Sequence, residues 1–64
     1  MDEHEKELAR LLYTRVGMVM EDASAIALEL GSPKSDFDPV KLERLEADAR
    51  TIVHLINAAQ SIVE

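Results

Sequence analysis

The sequence predicts an all-α protein, an antiparallel two-helix hairpin that self-associates into a four-helix bundle. In two long stretches the apolar residues recur in alternating steps of three and four, which is the pattern of helices that pack along a coiled-coil seam. A short segment of Gly, Ser and Pro separates the stretches. The chain has 64 residues, of which 47% are hydrophobic, and a bare hairpin of this size buries little of them.

Helix 1 is expected over residues from about 3 to 30. Its acidic start, with Asp2, Glu3 and Glu5, complements the positive end of the helix dipole. Gly31 follows the last apolar position, where glycine commonly adopts a left-handed conformation and ends a helix. The predicted seam consists of Ala9, Leu12, Val16, Val19, Ala23, Ile26 and Leu30.

Residues from about 31 to 38 form the predicted loop, and helix 2 is expected over about 39–63. Asp38 suits the N-cap and Pro39 the first helical position, while Phe37 and Leu42 have the spacing of a hydrophobic staple. So short a loop favours antiparallel neighbours within one domain spanning 1–64. The predicted seam of helix 2 consists of Leu42, Leu45, Ala49, Ile52, Ile56, Ala59 and Val63.

Further apolar residues lie beside both seams, and one partner helix cannot cover them all. We therefore expect the chain to bind itself as a homodimer or a higher even-numbered oligomer. In an antiparallel hairpin this additional apolar surface is expected to concentrate at the end away from the loop. The residues expected at the oligomer or partner interface are Leu8, Leu11, Leu12, Met18, Met20, Val53, Leu55, Ile56 and Ile62.

The composition narrows the possible partners. A net charge of −6 argues against nucleic acid, because phosphate binding needs clustered Lys and Arg. The chain has no cysteine, which removes disulfides and thiolate metal sites. It shows neither a basic targeting segment nor an apolar run of about 20 residues, so we expect no membrane association and a cytoplasmic location.

The sequence gives no basis for an enzyme. We predict no catalytic residues, metal site or cofactor, since no serine has a convincing His and carboxylate partner and no Gly-rich phosphate loop is present. His4 and His54 are expected to be solvated and apart from each other. The spacings of Glu46–Arg50 and Arg44–Asp48 are those of helical ion pairs.

Arg10, Tyr13 and Arg15 form the most suggestive polar cluster. Arginines beside an aromatic ring at a subunit interface are suited to an anionic or nucleotide-like ligand. However, Arg10 and Arg15 point to different sides of an ideal helix, and Tyr13 can equally pack at the edge of the seam. Ligand binding between subunits is therefore an alternative function.

The favoured function is that of a non-enzymatic interaction protein, such as a small regulator or adaptor. It would present a helical surface to a protein partner, with Leu8, Leu11, Met18 and Met20 as anchors. Because the same residues are expected in the dimer, self-association and partner binding would compete. A further alternative is RNA binding, since the predicted architecture is similar to that of the Rop-like RNA-binding bundle. That similarity concerns architecture alone.

Overall fold

The computed structural model describes residues 2–63, which form two α-helices joined by a loop. Helix α1 spans Glu3–Leu30 and helix α2 spans Pro39–Val63. The helices pack against each other along a rod of 50 × 14 × 13 Å. The predicted all-α helical hairpin is therefore confirmed. Met1 and Glu64, the ends of the predicted 1–64 domain, lie outside the described residues.

A capping box starts α1. The Asp2 carboxylate accepts a hydrogen bond from the Glu5 backbone N–H at 2.8 Å, and the Glu5 carboxylate accepts one from the Asp2 N–H at 3.3 Å. These bonds satisfy backbone donors that have no partner within the helix. Glu3 and Glu5 also place negative charge in the first turn, as the sequence predicts.

Helix α1 does not end in a left-handed glycine, so the expectation for Gly31 is wrong. Gly31 has φ −81° and ψ −4°, and its N–H donates to the Ala27 carbonyl oxygen at 2.9 Å. The chain stays right-handed here and continues into a further turn, in which the Ser32 hydroxyl accepts from Lys34 N–H at 3.3 Å and the Ser32 carbonyl oxygen accepts from Ser35 N–H at 3.0 Å. The positive φ occurs instead at Phe37, at 55°.

Asp38 begins α2 as the sequence predicts. Its carboxylate accepts a hydrogen bond from the Val40 N–H at 2.9 Å, and its carbonyl oxygen accepts one from the Leu42 N–H at 3.1 Å. Pro39 then occupies the first helical position, where its missing N–H costs nothing. Both residues of the proposed hydrophobic staple remain exposed, at 62% for Phe37 and 45% for Leu42.

The contact surface of α1 follows the predicted seam. Four of its residues are buried, and Leu12, Val19 and Ala23 between them are half-buried. With 3.6 residues per turn, these residues form one stripe along the helix, which explains why a single partner helix can cover them. The buried residues are Ala9, Val16, Ile26 and Leu30.

The contact surface of α2 matches the predicted seam only in part, because the helix is rotated toward one edge of that seam. Leu45, Ile52 and Ala59 face α1 as expected, and Ala59 is fully buried. The other half-buried residues that complete this stripe are Asp48, Leu55 and Ile62, whereas Leu42, Ala49 and Val63 of the predicted seam are exposed. The apolar surface of α2 is wider than one helix can cover, so its heptad pattern alone does not determine which edge faces α1.

Exposed apolar side chains extend along the whole rod, so they are not concentrated at the end away from the loop. At the loop end, Leu28, Phe37 and Val40 are 74%, 62% and 70% exposed. The expectation considered only the residues beside the two seams. It missed Leu28 and Val40, which lie on the outer sides of the helices near the loop, and Phe37, which lies in the loop itself.

The burial pattern makes a direct prediction for two residues of α1. Ile26 is 5% exposed and Leu28 is 74% exposed, although they lie two positions apart in the same helix. We expect Ile26→Ala to lower the free energy of unfolding by about 2–4 kcal/mol, because it leaves a cavity between the helices. Leu28→Ala is the matched control and should change it by about 0.5 kcal/mol or less. Urea unfolding checks both values, and equal losses would contradict this packing of α1.

Candidate functional site

Two cross-helix ion pairs mark one side of the hairpin. The Arg44 guanidinium binds the Asp22 carboxylate through two nitrogens, with Nε 3.2 Å from Oδ2. Nearer the loop, Lys41 Nζ lies 3.4 Å from Glu29 Oε2. These side chains are between 36% and 61% exposed. Water screens such pairs strongly, so they fix the register of the helices more than they stabilise the fold.

Asp22 and Asp48 bring two carboxyl groups together beside the Asp22–Arg44 ion pair. Oδ2 of Asp48 is shielded from solvent and has no hydrogen-bond partner in the described chain. The neighbouring Asp48, which can donate a hydrogen bond when it is protonated, and the nearby Arg44 guanidinium lower the pKa of Asp22. The same possible hydrogen bond to Asp22, together with desolvation, raises the pKa of Asp48. A proton on Asp48 would satisfy its shielded oxygen by making it a donor to Asp22.

Arg15 reaches the same side of the hairpin. It lines an open groove together with Met18, Val19, Asp22 and Asp48. The groove therefore combines two carboxyl groups, a guanidinium and an apolar floor. Within residues 2–63, no cluster of His, Asp and Glu has the makings of a metal site. We define the ion-pair face as the side that carries Arg15, Met18, Asp22, Glu29, Lys41, Arg44 and Asp48.

Only one residue of the predicted ligand cluster lies at the groove of the ion-pair face. Arg15 lines the groove of the ion-pair face, whereas Arg10 and Tyr13 are absent from its lining. The Arg10 guanidinium lies 3.5 Å from Glu7 on the same helix. Tyr13 is 46% exposed. Of the three residues, only Arg15 lines this groove, and ligand binding between subunits stays a prediction.

Two further basic side chains, Arg50 and Lys6, also lie close to acids. The predicted ion pair between Glu46 and Arg50 is confirmed, with the two charged groups 2.7 Å apart. The pairing predicted for Arg44 and Asp48 is wrong, because the rotation of α2 directs Arg44 across to Asp22 instead. Lys6 Nζ lies 3.4 Å from Glu3. Such pairing works against a continuous basic surface for nucleic acid.

The opposite side of the hairpin is apolar and carries no charge in its centre. The contacts Asp22–Asp48 and Glu29–Lys41 set an antiparallel register that puts Met20 level with Ala49, and Ala27 level with Leu42. These residues are exposed, and they point away from the ion-pair face because helical positions two apart lie on opposite sides. We define the uncharged face as Tyr13, Met20 and Ala27 of α1 with Leu42, Ala49 and Val53 of α2.

The two faces divide the residues that the sequence assigned to a single interface. Leu8, Leu11 and Met18 lie toward the ion-pair face and are 43%, 56% and 65% exposed. Met20 and Val53 lie on the uncharged face, and half-buried Ile56 borders it. The remaining three residues are half-buried where the helices meet: Leu12, Leu55 and Ile62. The separation of Met18 from Met20 follows from the period of α1, whereas the positions of the α2 residues depend on the rotation of α2, which the sequence pattern did not reveal.

Neither histidine lies at the centre of the ion-pair face or of the uncharged face. His4 is exposed in the first turn of α1, and His54 is exposed on α2 beside Arg50 and Val53.

Neither helix of the described chain is both long and apolar enough to cross a membrane. No protein-family model, curated protein or solved structure is significantly similar to this chain.

The carboxyl pair should make the stability of the folded chain depend on pH in an unusual way. A raised pKa in the folded state means that Asp48 contributes stability below its ordinary pKa of 3.8, and that this contribution is lost as the pH rises through the raised value. Asp22, whose folded pKa is lowered, behaves in the opposite way. We expect Asp48→Asn to melt at a higher temperature than the wild type at pH 7, because an amide can donate to Asp22 without repelling it.

The difference in melting temperature should shrink when both proteins are measured below the ordinary pKa of 3.8, where Asp48 of the wild type carries its proton. Glu43→Gln is the matched control, since Glu43 is an exposed acid on the same helix and the charge change is the same. A lower melting temperature for Asp48→Asn at pH 7 would show that the carboxyl pair does not destabilise the contact between α1 and α2.

Proposed function

We propose that this chain is a non-enzymatic, homo-oligomeric interaction protein that works by presenting helical surfaces. The observation that carries this proposal is the amount of apolar surface that one hairpin leaves uncovered. Within residues 2–63, no large side chain is fully buried. Exposed large hydrophobic residues include Leu11, Met18, Leu28 and Val53, each more than half exposed.

The total surface supports the same proposal. The chain exposes 4914 Å². A compact monomer of 7.1 kDa would expose about 4,100 Å². The excess, roughly 800 Å², is about what each partner contributes to a stable protein–protein interface. A domain normally has at least two packed layers around its core, and this hairpin supplies only one. A second hairpin packed against the first supplies the missing layer, as in a four-helix bundle.

We further propose that the partner outside the homo-oligomer is a protein, bound by helix-face recognition. Leu8, Leu11 and Met18 provide exposed apolar anchors along one side of α1, with one turn between the first two and two turns between the last two. The flanking Arg15, Asp22 and Arg44 would give such a contact its orientation, because charged groups around an apolar patch favour specific partners.

Self-association is tested by measuring the mass and the melting temperature over a wide range of protein concentration. We expect native mass spectrometry and sedimentation equilibrium to give about twice 7.1 kDa, or a higher even multiple. The melting temperature should rise with concentration, because association stabilises the folded chain by mass action. A 7.1 kDa species whose melting temperature does not depend on concentration would overturn the proposal.

A further inference from the structure

We infer that a second copy of this chain covers the uncharged face, so that two hairpins pack through it as a symmetric dimer. This inference rests on the proposed self-association and specifies the surface that performs it. In such an isologous contact the same patch serves both protomers, and Met20 of one protomer packs against the uncharged face of its partner. The ion-pair face then remains outside the dimer.

Charge selects the uncharged face for a second copy. Two identical chains, each with a net charge of −6, repel each other, so they approach most easily through a surface that has no charged side chain at its centre. The Glu46–Arg50 ion pair and His54 lie at the edge of this face, beside Ala49 and Val53, and the two paired charges compensate each other. On the other side, a second copy would bury Asp22 and Asp48, together with the shielded oxygen that already has no partner. Burying carboxylates without new partners costs far more than burying apolar side chains.

The shape of the uncharged face also suits close packing. Large side chains lie beside small ones across the two helices, with Met20 level with Ala49 and Leu42 level with Ala27. Alternating sizes let facing layers interdigitate. Gly17 borders this face, one turn from both Tyr13 and Met20, and a Cβ added to it would contact no other atom. A partner helix can therefore approach the backbone of α1 at this point.

The apolar residues of this face are available to provide the contact. Tyr13, Met20, Leu42 and Val53 are each between 45% and 54% exposed. They are half covered by their own hairpin and can be covered fully only by another molecule. Tyr13 can pack its ring in the contact while its hydroxyl stays in water at the edge.

Two methionines on α1 provide a matched test of the face. Met20 lies on the uncharged face at 48% exposed, and Met18 lies on the ion-pair face at 65% exposed. We expect Met20→Asp to weaken the dimer on the order of 100-fold or more, because its carboxylate would be buried without a partner. Met18→Asp should remain a dimer with nearly unchanged affinity. Sedimentation equilibrium measures both constants, and circular dichroism verifies that both variants remain helical.

The outcomes separate this inference from the proposed self-association. A dimeric wild type whose Met18→Asp variant dissociates at least as readily as Met20→Asp overturns the assignment of the face while self-association stands. A monomeric wild type overturns both.

If Met20→Asp does not fold, single cysteine substitutions provide the second measurement, since the wild type has no cysteine. Under mild oxidation, Met20→Cys should give a covalent dimer at low concentration, and Met18→Cys should not. Cross-linking of the Met18→Cys variant in preference to the Met20→Cys variant would overturn the inference.

Discussion

The structure depends on one constraint: each of its two helices has only one neighbour. A helix can bury one stripe against one neighbour, and α1 uses its whole length to bury Ala9, Val16, Ile26 and Leu30. Ala59 of α2 is buried completely because a small side chain fits where the helices meet closely. Every other large apolar side chain in residues 2–63 stays at least partly in water. The association proposed for the chain follows from this, because each helix has only one neighbour to cover its apolar surface.

The rotation of α2 gives the hairpin two unlike sides. Because Asp48 rather than Ala49 meets α1, the ion pairs between the helices lie on one side, where Arg44 binds Asp22 and Lys41 binds Glu29. The same rotation moves Leu42 and Ala49 to the other side, level with Ala27 and Met20 respectively. One change in the orientation of a helix thus produces the carboxyl pair, the groove beside Arg15 and the uncharged surface.

The sequence predicts those parts of the fold that depend on local chemistry. The caps at Asp2 and Asp38 need only a carboxylate and the backbone of the next turn, and the stripe of α1 follows from the period of one helix. The orientation of α2 is different, because its apolar arc exceeds one contact and either edge could face α1. The carboxyl pair is equally hard to predict, since Asp22 and Asp48 lie far apart in sequence and meet only in one orientation of α2. The left-handed residue was likewise misplaced, because Ser32 caps a turn that carries the chain past Gly31.

The two-sided arrangement also changes how self-association relates to partner binding. If both used one apolar surface, each would exclude the other, and the concentration of the chain would control its activity. In the arrangement that we propose, the second copy occupies the uncharged face and leaves Leu8, Leu11 and Met18 exposed beside the ion pairs. A symmetric dimer would then present two such surfaces at once, and a partner with two binding elements would gain avidity from a single bound dimer. Because the acids remain on the outside, the charged flank would select among partners while the uncharged contact holds the copies together.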